Sequence, residues 1–144
     1  MEIALIANDT KKELMTQFCI AYCGVLAKHN LCATKMTGRL ISEATGLVIE
    51  HVLPGRQGGV QQISSRIEYN EIDAVVYFHD PADEFDANDN SLIRKCDANN
   101  VPIATNIATA ELIITAIDRG DLDWRDLVNP NSEYNRKKRE YSGK

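Results

Sequence analysis

A three-layer αβα domain built on a five-stranded, mainly parallel sheet is what this sequence predicts, on three observations. Short apolar runs alternate with stretches of helical periodicity, the pattern of strands joined by covering helices. The chain has 144 residues, which suits one domain able to bury about two thirds of its unfolded surface. It shows no internal repeat, low-complexity tract or linker. Residues 1–130 are therefore expected to form the domain, and residues 131–144 a charged tail that is mobile or docks on a neighbouring subunit.

The elements follow in order. Ile3 to Ala7 is the first strand, and Asn8-Asp9-Thr10 makes a turn and helix cap. From Lys11 to Lys28 the apolar Leu14, Phe18, Tyr22, Val25 and Leu26 recur at helical spacing. Leu31 to Thr34 is the second strand; Thr37-Gly38 opens a helix that runs through Ala44 and stops at Gly46. Leu47 to Leu53 alternates and is rich in branched residues, so it reads as a third strand. The loop from Pro54 to Gly59 leads into a helix from Val60 to about Tyr69. Asp73 to Phe78 is the most strand-like run and is expected at the centre of the sheet. A polar loop from Asp80 to Asn90, a helix to Asn99, a strand from Pro102 to Thr105 and a helix from Ala108 to Asp118 complete the domain.

Composition excludes several function classes. The formal net charge of −5 argues against a nucleic-acid partner, which needs a basic face. No apolar run is long enough for a membrane helix, and the opening residues lack the basic lead of a secretion signal. Cys19, Cys23, Cys32 and Cys96 form no CxxC pair, so they read as core or half-buried thiols in a reducing cytoplasm, with no metal site.

In an open parallel sheet, ligands bind beyond the carboxyl ends of the strands. Here those ends carry Asn8-Asp9 with Lys12, Thr34-Lys35-Met36-Thr37-Gly38, Gly55-Arg56-Gln57-Gly58-Gly59, and His79-Asp80. Thr34, Thr37 and Gly38 run into a helix whose free N–H groups suit an anion, with Lys12, Lys35 and Arg56 supplying charge. The other reading is that Thr37 only caps the helix. The glycines permit close backbone approach to a ligand, but no P-loop or dinucleotide fingerprint is present. Asp9 and Asp80 suit proton transfer or, equally, helix capping. His79 reads as a partly buried polar residue.

Taken in order, these segments resemble the methylglyoxal synthase family from Met1 to about Val128. The carriers are Ile3 to Ala7 with Asp9, Ala33-Thr34-x-x-Thr37-Gly38, Glu43-Ala44-Thr45-Gly46-Leu47, Gly58-Gly59-x-Gln61-Gln62-Ile63, Asp80-Pro81, Leu92-Ile93-Arg94, and Pro102 to Ala110. The resemblance implies a methylglyoxal-synthase-like fold, a homo-oligomer (a hexamer in the family) and a lyase without metal or cofactor. That lyase converts dihydroxyacetone phosphate to methylglyoxal and inorganic phosphate. It also implies a phosphate cradle at Lys12, Thr34, Thr37 and Gly55, with supporting carboxylates at Asp9 and Asp80.

The departures from the family fall at the reaction centre. The family's Gly-Gly-Asp-Gln-Gln, which holds its base, is here Gly58-Gly59-Val60-Gln61-Gln62. Its histidine before the first aspartate is Asn8, a cradle threonine is Met36, and its Ser-Gly-Pro is Pro54-Gly55-Arg56. The family's later histidine and aspartate align with Asp86 and Asp89. A valine accepts no proton, so the sequence points first to a non-catalytic binder of a phosphorylated small molecule or nucleotide. Such a protein senses or sequesters its ligand, for example as a sponge for a signalling nucleotide. On that reading Asn8, Lys12, Thr34, Lys35, Thr37, Gly38, Gly55, Arg56, Gly58, Gly59 and Gln61 hold the ligand, and Asp9, Asp80 and Asp89 are residual acid–base groups. The alternative is the family's lyase activity; a third reading is a structural or partner-regulating subunit.

Overall fold

The structure, a computed structural model, describes residues 1–83, 90–128 and 140. Asp86, Asp89 and nearly all of the expected tail lie outside the described residues. The five strands are β1 (Glu2–Ala7), β2 (Asn30–Thr34), β3 (Glu50–Val52), β4 (Ala74–Phe78) and β5 (Ile103–Ala104). They form one sheet in the order β3-β2-β1-β4-β5, with every pairing parallel. The helices are α1 (Lys12–Ala21), α2 (Cys23–Leu26), α3 (Lys35–Thr45), α4 (Gly59–Glu68), α5 (Ser91–Ala98), α6 (Ile107–Arg119) and α7 (Arg125–Val128).

The strands are apolar along their whole length because the sheet is covered on both faces, and the period of two sorts their side chains into two cores. Ile3, Leu5 and Ala7 of β1, Leu31 and Ala33 of β2, and Ala74, Val76 and Phe78 of β4 pack with Met15 and Phe18 of α1, Ile41 of α3, and Ile114 and Ile117 of α6. The intervening Ala4, Ile6, Cys32, Val75 and Tyr77 pack with Val60, Ile63 and Ile67 of α4 and Leu92 and Cys96 of α5. The alternating apolar runs thus become a three-layer sandwich.

Several boundaries differ from the sequence expectation. The helix expected over Lys11–Lys28 breaks at Tyr22, whose φ of −108° and ψ of 22° leave the helical region just before Cys23-Gly24. The α3 helix begins at Lys35, so Thr37 is a buried interior residue and not its cap. The third strand shrinks from Leu47–Leu53 to Glu50–Val52, an edge strand paired on one side only, with Val48 almost fully exposed. The middle of the sheet is β1, with β4 beside it. The sequence reading also missed α7, which is anchored by the buried Arg125 at the amino end of the sheet.

All four cysteines are free; Cys19, Cys32 and Cys96 are buried and Cys23 is half-buried. Burial pushes the three buried thiols up to about 12. A thiol reagent applied to the native protein at mildly alkaline pH is therefore expected to modify Cys23 first, and the other three only on unfolding. Two or more fast-reacting thiols contradict this packing. Among the described residues no helix is long and apolar enough to cross a membrane, and no cluster of three or more potential metal ligands occurs.

Candidate active site

The chain runs outward from β1 to β2 and β3, then returns to place β4 and β5 on the other side of β1. The switch point thus lies where the carboxyl ends of β1 and β4 part, the position where open sheets place their ligands. A cleft of about 240 Å³ opens there. It is lined by Ile6, Ala7, Asn8, Asp9 and Lys12 from the end of β1, and by Thr34 and Met36 from the end of β2. Pro54, Gly55, Arg56 and Val60 come from the segment after β3, and Tyr77 from β4.

Two helices begin at this cleft. Thr34 occupies the cap position of α3, and Val60 is the second residue of α4. Their first-turn N–H groups lack partners within the helix and bring positive dipole ends to the cleft, an environment suited to phosphate. Gly55 sits between the two starts: a Cβ placed on it falls 3.8 Å from both Thr34 Cγ2 and Val60 Cγ2. Thr34 and Thr37 are buried, and the Thr34 hydroxyl donates to Thr37 Oγ1 at 3.3 Å.

The remaining glycines shape the loop. Gly58 has a φ of +102°, in the left-handed region that glycine favours. Gly59 starts α4 so close to the preceding chain that a Cβ falls 2.0 Å from the Leu53 carbonyl oxygen. The Leu53 N–H in turn donates to Gln62 Oε1 at 2.8 Å. Gly38 is an interior residue of α3 where a Cβ meets the His51 ring at 2.6 Å, so its role there is packing. Lys35 and Gln61 are exposed and stand outside the cleft lining.

Charge is concentrated on the β1 side. Lys12 Nζ donates to the Ala7 carbonyl oxygen at 2.8 Å and pairs with Asp9 at 2.8 Å. That hydrogen bond, with the ammonium charge behind it, holds the Asp9 carboxyl below the usual carboxylate range. Asp9 is ionised at neutral pH and its side chain is largely exposed. Asp80, in the loop after β4, accepts the Ala82 N–H at 2.9 Å and the Thr10 hydroxyl at 2.8 Å. These two bonds, the backbone one foremost, lower its carboxyl as well. Asp80 thus braces the loop after β4 against the loop after β1. Asn8 accepts the Thr10 N–H at 2.9 Å, which caps the short 3-10 turn Asp9–Lys11. The His79 ring lies 5.4 Å from Tyr77.

One site group escaped the sequence reading. Asp83 accepts hydrogen bonds from Asn8 Nδ2 at 3.0 Å and from Arg56 Nη2 at 2.8 Å, linking three loops at the mouth of the cleft. An aspartate inside a polar loop gives no periodic or motif signal that could have found it. The structure therefore gathers Asn8, Asp9, Lys12, Thr34, Gly55, Arg56 and Val60 around one cleft, with Asp80 and Asp83 at its edge.

Comparison with known proteins agrees with this geometry. The MGS-like domain family matches residues 18–105. Methylglyoxal synthase of Caldicellulosiruptor saccharolyticus is 58% identical over 138 residues, spanning 94% of this chain and 98% of that one. The Thermoanaerobacter sp. methylglyoxal synthase is 48% identical over 129 residues, 88% of this chain and 98% of that one. The crystal structure of methylglyoxal synthase from Elizabethkingia anophelis NUHP1 superposes with a TM-score of 0.74 at 40% identity, covering 78% of this chain and 76% of that one.

These matches correct the expectation of a non-catalytic binder. Relatives alike over nearly their whole length carry the name of an enzyme, and they support the catalytic alternative. By near full-length identity and by shared fold, the chain belongs to the MGS-like domain family.

Proposed function

We propose that the protein is a carbon–oxygen lyase of the methylglyoxal synthase type, which converts dihydroxyacetone phosphate to methylglyoxal and inorganic phosphate with Asp9 as proton acceptor. The observation that carries this reading is the juxtaposition of an ionised carboxylate, a paired ammonium and two helix starts around one small cleft. Phosphate sits against the first turns of α3 and α4, where free N–H groups and the Thr34 hydroxyl meet it.

With the phosphate held there, the Asp9 carboxylate removes a proton from the hydroxymethyl carbon next to the carbonyl, leaving an enediolate. Lys12 faces the developing negative charge. The enediolate then collapses: its hydroxyl gives up a proton to the departing phosphate as the aldehyde forms, and the carbon–oxygen bond to phosphate breaks. Asp9 returns its proton to the methylene carbon, which gives methylglyoxal.

Rate is limited by the base. A carboxylate kept below its usual range is a weak acceptor at neutral pH, since proton transfer works best when the pKa of the base lies near the working pH. Val60, at the position where the family resemblance puts a carboxylate, contributes no acceptor. The expected enzyme is thus a slow one.

Incubation with dihydroxyacetone phosphate, with methylglyoxal trapped and quantified, tests the proposal. Turnover above the buffer rate is expected, and Asp9→Asn should reduce it by about 10²-fold or more. Because Asp9 titrates below the ordinary carboxylate range, the wild-type rate should hold as pH falls from about 8 to about 5, and drop only below that. No methylglyoxal from the wild type rejects the lyase assignment. Full activity in Asp9→Asn rejects only the choice of base.

A further inference from the structure

We propose that Arg56 and Asp83 form an anion-operated latch at the mouth of the cleft, in which a phosphate group draws the Arg56 guanidinium away from the Asp83 carboxylate. The proposal rests on the reading of the cleft as a phosphate site. Arg56 lies in the 3-10 turn Gly55–Gln57, between the end of β3 and the start of α4, and lines the cleft. Asp83 lies in the segment after β4. Their 2.8 Å ion pair therefore spans the cleft mouth from one loop to the other.

Three features suit the pair to a switch and not to a fixed brace. First, the Arg56 side chain is 62% exposed while that of Asp83 is only 25% exposed, so the arginine is the partner with room to move. Second, Asp83 is held independently by the Asn8 side-chain amide at 3.0 Å, and keeps that anchor when the guanidinium leaves. Third, an exposed ion pair contributes little, so a dianion at two helix starts competes for the guanidinium on favourable terms. Arg56 and Asp83 also both act electrostatically on Asp9, with opposite signs. Movement of the guanidinium from Asp83 toward bound phosphate thus changes the field at the proposed base at the moment the substrate is seated.

In this arrangement Asp83 is a positioning residue that acts on the ligand through Arg56. It sets how tightly any phosphate is held and favours release of the product phosphate by taking Arg56 back. A merely structural role for Asp83 predicts the opposite sign, because losing a brace loosens the site.

The test is direct titration of the full chain with inorganic phosphate by calorimetry, which does not depend on turnover. Asp83→Asn keeps the shape and an acceptor for both partners but removes the competing charge. Phosphate affinity is expected to rise about two- to fivefold, the range an exposed ion pair supports. In an Arg56→Gln background, the same Asp83→Asn change should lose most of that gain, because the two residues act as one unit. Unchanged or weaker phosphate binding by a folded Asp83→Asn protein overturns the latch, as does an equal gain in the Arg56→Gln background. Failure of wild-type protein to bind phosphate overturns the latch together with the phosphate cradle. Methylglyoxal formation without any affinity gain in Asp83→Asn removes the latch alone and leaves the lyase standing.

Discussion

Val60→Asp raises the rate of methylglyoxal formation by about 10²–10⁴-fold, the contribution expected of a positioned general base. In barrier terms this is about 3–5.5 kcal/mol. Val60 is the second residue of α4, is 8% exposed and faces the cleft that Asp9, Lys12 and Thr34 also line. Valine and aspartate are close in volume, so the substitution changes chemistry more than shape. A carboxylate in the first turn of a helix also complements the helix dipole, which offsets part of the loss of apolar packing in the core cluster that Val60 joins.

Electrostatics strengthens the expectation. Asp9 is now held below the usual carboxylate range by Lys12. A second carboxylate across the same small cleft opposes ionisation of both, so one of the pair titrates higher and becomes a better base near neutral pH. The gain should therefore appear in kcat more than in KM, and an acidic limb should emerge between about pH 5 and about pH 8, where the wild-type profile is flat. Parallel assays of the two proteins across pH decide it. A folded Val60→Asp enzyme no faster than wild type shows that position 60 does not face the reacting carbon.

Much of the fold was legible because burial on both faces of the sheet leaves a plain mark. The runs Ile3–Ala7 and Asp73–Phe78 are apolar at nearly every position, and both became interior strands. Legibility failed where the constraint is tertiary. Leu47–Leu53 alternates well, yet only Glu50–Val52 pairs with β2, opposite Cys32–Thr34, and alternation alone does not report which residues reach a neighbouring backbone. Thr37 has the composition of a cap, but α3 starts two residues earlier, directly at the end of β2.

The site divides in the same way. Asn8, Asp9, Lys12, Thr34 and Gly55 lie at strand ends, where topology alone concentrates ligands, and the fold lines one cleft with them. Position 60 attracted notice through the family motif. Asp83 became visible only once the loops after β1, β3 and β4 were brought together, because its partners lie 75 and 27 residues away in the chain. The weight first placed on Val60, as grounds for a binder, was too great. One altered position was set against ordered similarity along almost the entire chain.

Arg125→Met is expected to lower the stability of the domain by about 3–5 kcal/mol, the usual result of removing one partner of a buried ion pair. For a chain of this length that is a fall in Tm of roughly 10–15 °C. Arg125 is 1% exposed, and its side chain reaches Asp73 at 3.4 Å as well as the carbonyl oxygens of Asn100 and Ile72. Asp73, equally buried, also accepts the Glu2 N–H at 2.9 Å. One guanidinium thus joins α7 to the segments entering β4 and β5, and Asp73 extends the link to the start of β1. Methionine fills much of the space but strands the Asp73 charge without its cation. Because this cluster sits at the amino end of the sheet and the cleft at the carboxyl end, phosphate affinity of the folded protein should stay unchanged while Tm drops. Paired replacement of Arg125 by methionine and Asp73 by asparagine should recover part of the loss, since no lone buried charge then remains. Thermal melts of the three proteins measure this; a loss under about 1 kcal/mol in Arg125→Met contradicts the assignment of Arg125 as the lock at that end of the fold.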